Sequence, residues 1–278
     1  MLHALSFDVE EYFQVANLRP SFCEASWGEV PSRLDVGMEA ILGALERNGA
    51  RATFFFLGWI ADRHPAWVER CLEAGHEVAS HGWRHAFLQT LGQEGLDEDM
   101  AKAEAALLAA GAPKPRGFRA STFTLTRDTW WAMDVIAKRG YSYDSSVHPI
   151  QHPAYGIPDF EPGISNVETA EGDLTEFPVS TWRALGRNWP VGGGGYFRML
   201  PGALTRAAVR GLERRGAPAC LYLHPWEFDP GQPRVKAGPS AGFRHYLNLH
   251  KTLPRLERLL QEFQFGTMEE VLGLALPR

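Results

Sequence analysis

Residues 52–85 read ATFFFLGWIADRHPAWVERCLEAGHEVASHGWRH, and this stretch decides the fold. Ala52–Leu57 is a short apolar run with three consecutive phenylalanines, which fits a strand buried on both faces. Pro65–Ala74 has helical periodicity, opens on a proline and stops at Gly75. Glu77–Ser80 reads as a second strand, and it ends on His81. Strand, helix, strand in this order describes two parallel strands joined by a crossover helix.

The same rhythm runs outward in both directions. Leu2–Phe7 alternates like a strand and ends at Asp8. Val36–Asn48, Leu96–Ala110 and Arg127–Arg139 have helical patterns that stop at Gly49, Gly111 and Gly140. Gly117–Arg119 and Tyr141–Tyr143 read as strands. Asp144–Asp173, rich in Pro, Gly and His, breaks the rhythm: it is either a substrate-binding excursion or a disordered insert. Strand character resumes at Leu174–Pro178 and Ala219–Leu223, with helices expected at Pro201–Arg215 and Tyr246–Glu262. No internal repeat or linker divides the chain, so one α/β domain is expected over residues 1–278.

The chain's 278 residues are usual for a single α/β barrel. A net charge of −5 supplies no basic face for nucleic acid. Cys23, Cys71 and Cys220 are odd in number and far apart, so no disulfide framework is expected. No basic or long apolar leader precedes the first strand, and no apolar run nears the ~18 residues of a membrane span. A soluble, cytoplasmic protein without a transmembrane segment is expected.

Three of the expected strands end in groups able to bind metal: Asp8-Val9-Glu10-Glu11, Ser80-His81-Gly82-Trp83-Arg84-His85 and Leu223-His224. In parallel α/β folds the carboxyl ends of strands converge on one ligand site. The His81 and His85 spacing would place both rings on one face of a helical turn. Two histidines and a carboxylate leave an open position on a zinc-like ion, which activates water and polarises a carbonyl. Either Asp8 or Glu10 could complete the set, with the other as general base, and His224 could protonate a departing amine. The run Gly192–Gly195 lacks a following Lys and Ser or Thr, so it is no P-loop; it suits a tight turn or close approach of backbone to a sugar. His148 and His152 sit in the long excursion, within possible reach of the site. Trp83, Trp182, Trp189 and Trp226 offer faces for sugar rings, although most tryptophans in a barrel simply pack.

Taken together, these segments resemble the polysaccharide deacetylases, the NodB-homology or carbohydrate esterase family 4 proteins. Phe7-Asp8-Val9-Glu10, Ser80–His85, Gly117-Phe118-Arg119, Tyr143–Ser146 and Leu221–His224 carry the resemblance in order. Asp8–Phe13, Phe177–Ser180, Gly194–Arg198 and His224–Asp229 look closest to the branch found with exosortase (PEP-CTERM) exopolysaccharide loci. The resemblance implies a distorted (β/α)7 barrel and a metal-dependent hydrolase that removes N-acetyl groups from hexosamine units of a polysaccharide or its precursor. It implies Zn²⁺ or another divalent ion on Glu10, His81 and His85. It implies Asp8 as base, Arg119 holding that base, and His224 as acid. Asp144 matches an acid that orients His224, and backbone N–H near Thr122 or Phe123 would help hold an oxyanion. The sequence departs from the common pattern in four places. Val9 separates the two acids of the first motif, Gly82 replaces Ser or Thr, Ser121 stands for Pro, and no Trp follows Asp144. Two rivals stay open: a metal-independent amide or cyclic-amide hydrolase of allantoinase type on the same scaffold, and a non-catalytic carbohydrate-binding protein.

Overall fold

The structure is a computed structural model describing residues 1–235 and 237–274, so Lys236 and the last four residues of the expected 1–278 domain lie outside the described residues. Its strands are β1 (Leu2–Val9), β2 (Thr53–Phe56), β3 (Glu77–Ser80), β4 (Gly117–Phe118) and β5 (Tyr143–Asp144). They continue as β6 (Ser165–Thr169), β7 (Gly172–Glu176), β8 (Thr181–Ala184), β9 (Arg187–Pro190), β10 (Cys220–Leu223) and β11 (Gln264–Gly266). Seven of these run parallel in the order β10-β1-β2-β3-β4-β5-β7. The ring closes just past β7, where Ser180 N–H donates to the Cys220 carbonyl at 3.0 Å and Cys220 N–H donates to Ser180 Oγ at 2.7 Å. This is the distorted (β/α)7 barrel expected from the sequence.

Strand alternation sorts the side chains between two cores. Phe54 and Phe56 point outward into the large cluster formed with the helices, while Phe55 points inward. Inside the barrel, Ala4, Phe55, Ala79, Tyr143, Phe177 and Cys220 form a small apolar floor. Arg119, fully buried, lies over Phe55 with its guanidinium 4.2 Å from the ring centre. The polar site stands above that layer, at the carboxyl ends of the strands.

Several boundaries differ from the sequence reading. The helix expected at Tyr246–Glu262 is two, Pro239–Tyr246 and Thr252–Glu262. At their junction the His245 and Leu247 carbonyls accept from Arg198 Nη1, and Asn248 adopts a left-handed backbone. The helix expected from Leu96 reaches back to Leu88 across a break at Gly92. The excursion 144–173 is neither a loop throughout nor disordered. Residues 145–150 are buried, and β6 pairs antiparallel with β7 as a hairpin on the sheet edge. The hairpin β8–β9 and the helices Gly58–Arg63 and Gly194–Met199 had no counterpart in the sequence reading. Cys71 and Cys220 are buried free thiols in the core. Among the described residues no helix is long and apolar enough to cross a membrane.

The Gly192–Gly195 run serves a close approach. Gly193 forms a parallel bridge to Tyr222, and a Cβ there would collide with the Tyr222 carbonyl. Its φ of 152° is one that side-chain-bearing residues rarely adopt. The run therefore packs backbone on backbone beside β10, and Gly194 and Gly195 line the cleft described next.

Candidate active site

Ser6, Asp8 and Glu10 are every second residue of one extended segment, so all three face the barrel interior while Val9 packs outward. The intervening Val9 is thus what puts both acids on one face. Arg119, at the end of β4, donates to Asp8 Oδ1 at 2.6 Å and to Ser6 Oγ at 2.8 Å. Its remaining N–H groups are held by the Ser145 carbonyl and hydroxyl. Burial opposes the charge on Arg119, but Asp8 outweighs it and the guanidinium stays cationic.

Glu10 is fixed at one oxygen and left open at the other. Trp226 Nε1–H donates to Oε1 at 3.1 Å. Oε2 lies 2.8 Å from His85 Nε2 yet has no aligned hydrogen-bond donor, although it is buried. Burial pushes the Glu10 carboxyl up, and the His85 and His224 rings outweigh that and hold it well below the usual carboxylate range. His81 Nδ1 lies 2.7 Å from the Arg119 carbonyl, a contact that requires the proton on Nδ1 and leaves Nε2 as a lone pair. Burial lowers the His81 pKa to about 4, so the ring is neutral, as a ligand must be. Glu10, His81 and His85 can each bring one ligand atom to within 4.8 Å of the others. An acceptor-rich, desolvated trio of this kind fits a divalent cation, with Trp226 and the Arg119 carbonyl orienting the ligands from behind.

Two expectations are corrected here, and a third is narrowed. The histidine pair does not sit on a helical turn: residues 81–87 are irregular, with Gly82 at φ 73° and His85 at φ 54°. A Cβ on Gly82 would press on Asp99, whose carboxylate accepts from Trp83 N–H at 2.6 Å, which is why Ser or Thr does not stand here. The second correction concerns Asp144. It lies fully buried beside Glu176 in the β5–β7 register and accepts from Ser146 N–H and Oγ, and none of its hydrogen bonds goes to His224. The acid on His224 is instead Glu227, whose Oε1 is 2.7 Å from His224 Nδ1. Third, Phe123 N–H is used in a turn to the Ala120 carbonyl, which leaves Thr122, at the cleft wall, as the candidate oxyanion donor.

Glu227 also pairs through Oε2 with Arg198 Nε at 2.5 Å, and both side chains are buried. The segments Gly194–Arg198 and His224–Asp229, separate in sequence, therefore meet as one relay. Burial opposes protonation of His224, but the hydrogen bond to Glu227 and the charges of Glu10, Glu227 and Asp8 outweigh it and raise its pKa to about 9. His224 Nε2 faces the cleft 3.6 Å from Glu10 Oε1 and 3.9 Å from Asp8 Oδ2. Glu11 turns the other way: its carboxylate accepts from Ser32 Oγ and the backbone N–H of Arg33 and Leu34, capping the helix Leu34–Arg47. His152 lines the cleft, whereas His148 is buried behind Phe123, Tyr155 and Tyr222. The whole arrangement faces a cleft of about 560 Å³.

Residues 32–143 match the family model "Polysaccharide deacetylase", and residues 145–273 match "Domain of unknown function (DUF3473)". Residues 32–143 carry the polysaccharide deacetylase match. Strands from both matched regions, together with β1, build the one barrel. The peptidoglycan-N-acetylglucosamine deacetylase PgdA of Listeria monocytogenes is 47% identical over 45 residues, which cover 16% of this chain and 10% of that protein. A chitin deacetylase of Pestalotiopsis sp is 41% identical over 71 residues, 24% of each chain. The chain thus covers a tenth to a quarter of the length of these relatives. Its fold is shared with a Mycobacterium smegmatis protein described as a candidate polysaccharide deacetylase (TM-score 0.65, 18% identity, covering 100% of this chain and 95% of that one). It is shared too with a family 4 carbohydrate esterase of Streptomyces lividans solved with acetate (TM-score 0.51, 20% identity, 96% and 91% covered).

Proposed function

We propose that this protein is a metal-dependent N-deacetylase acting on N-acetylated hexosamine units of a polysaccharide or its precursor. One observation carries the reading: a paired acid, a cation-ready trio and a buttressed histidine surround one cleft. Zn²⁺ or a similar divalent ion on Glu10, His81 and His85 supplies Lewis acidity toward the acetyl carbonyl and a more acidic water. Asp8, held by Arg119, takes the proton of the attacking water. Thr122 N–H stabilises the developing oxyanion. His224, held protonated by Glu227, delivers a proton to the departing amine nitrogen, and acetate leaves. The resemblance of Asp8–Phe13 and His224–Asp229 to the exosortase-locus branch extends the reading to exopolysaccharide production. Incubation of metal-loaded protein with N-acetylated chitooligosaccharides and with allantoin tests it. Acetate release with no ring opening is expected; ring opening alone, or binding without turnover, contradicts it.

A further inference from the structure

The hairpin β8–β9 leaves the barrel past β7 and returns beside β10, at the same end as the active site. Its two-residue turn is Leu185-Gly186, with φ of 53° and 73°, between the paired residues Ala184 and Arg187. A hairpin turn with both residues left-handed favours Asn-Gly, and a leucine in that conformation is strained. Leu185 is also 94% exposed, so no packing offsets the strain. Neither the turn nor the core accounts for a leucine at this tip, and strain without a local reason points to function.

A single exposed leucine is ordinary, but this one is not alone. Trp182 and Trp189 lie directly opposite each other in the hairpin register, hence on one face, and both are exposed, Trp189 by 50%. Two more exposed apolar side chains stand at the cleft: Met199, which lines it, and Phe243, next to the cleft-lining Arg244. The charge of this rim has one sign. In a chain of net charge −5, residues 177–212 hold no acid. Arg183 and Arg187 flank the tip, both exposed, and neither forms an ion pair among the described residues. On the neighbouring segment, Asp159 is taken by Arg127. An aliphatic tip, a pair of indoles behind it and free arginines beside it match the layers of an anionic bilayer surface. A second copy of this chain fits less well, because a symmetric tip-to-tip contact sets the same arginines against each other.

We infer that the hairpin β8–β9 docks the protein on a membrane surface carrying anionic lipids. Leu185 enters the boundary between headgroups and acyl chains, Trp182 and Trp189 lie at the interface, and Arg183 and Arg187 meet lipid phosphates. The inference stands apart from the deacetylase reading; together with it, docking sets the mouth of the cleft against the lipid surface.

The test sediments the protein with vesicles of phosphatidylcholine alone and with vesicles containing about 30% phosphatidylglycerol. The anionic vesicles are expected to bind about 25-fold better, roughly fivefold for each arginine, and binding weakens as salt rises. Replacing both Arg183→Gln and Arg187→Gln lowers binding to the neutral-vesicle level. Leu185→Asn gives the turn a residue it prefers, so the hairpin is kept, and weakens binding about tenfold. Leu108→Ser, also exposed but on the helix Leu88–Ala109, behaves as wild type. No binding to anionic vesicles overturns the inference. Binding within about twofold of wild type in either hairpin variant, or an equal loss in Leu108→Ser, does the same. So does a wild-type dimer in sedimentation velocity that Leu185→Asn splits, since the tip then serves a second copy.

Discussion

Replacing Glu227 by glutamine is the sharpest probe of the relay. The carboxylate is buried and serves three donors: His224 Nδ1 at 2.7 Å, His224 N–H at 3.1 Å and Arg198 Nε at 2.5 Å. A carboxamide has the same shape but one acceptor oxygen. If that oxygen faces Arg198, the NH₂ meets His224 Nδ1–H; if it faces His224, the NH₂ meets Arg198 Nε–H. Either way two donors face each other where a charged hydrogen bond stood. Such a bond contributes about 1.5–3 kcal/mol. If the loss falls on the protonated His224 of the transition state, kcat drops roughly 10- to 100-fold. Glu227 does not line the cleft, so KM for the oligosaccharide changes little. Steady-state acetate release at saturating substrate reads the effect, with circular dichroism to show that the variant is folded. A folded Glu227→Gln protein with kcat within about twofold of wild type would refute the relay and reduce Glu227 to a packing residue.

Glu10→Gln is expected to reduce bound metal to below about a tenth of wild type by mass spectrometry of dialysed protein. Glu11→Gln keeps the metal and lowers stability by about 1 kcal/mol in urea titration, because that acid caps the helix Leu34–Arg47. Burial lowers the His148 pKa to about 3, and both its ring nitrogens lack partners among the described residues. The folded protein therefore keeps His148 neutral where the unfolded chain protonates it below about pH 6.5. Stability falls as pH drops through that window, by about 2 kcal/mol from this residue at pH 5, and His148→Phe removes that share of the urea-midpoint shift. Gly193→Ala is expected to cost about 1–3 kcal/mol and lower the melting temperature, since its Cβ meets the Tyr222 carbonyl where the barrel closes.

The barrel was legible because its strands are buried on both faces and several end abruptly in polar residues, as after Val9, Ser80 and Leu223. The convergence of Asp8, Glu10, His81, His85 and His224 was read from those ends, and Arg119 came in through the family resemblance. The backbone carrying the two histidines was not legible. His85 takes a left-handed conformation while its carbonyl accepts from Arg19, and Gly82 fits against Asp99; both contacts are tertiary. Asp144 misled because β5 is only two residues long and its register lays the acid beside Glu176. Glu227 was visible three residues past His224 behind a proline, the pattern of a capping box. Its charge partner Arg198 could not be read from local sequence, since a different segment brings it there.

The central claim is that Glu10, His81 and His85 hold the cation on which deacetylation depends. Chelator-treated protein should release no acetate from an N-acetylated oligosaccharide, and one equivalent of Zn²⁺ should restore turnover in wild type but not in His81→Ala. Undiminished acetate release from protein shown to be metal-free would contradict it.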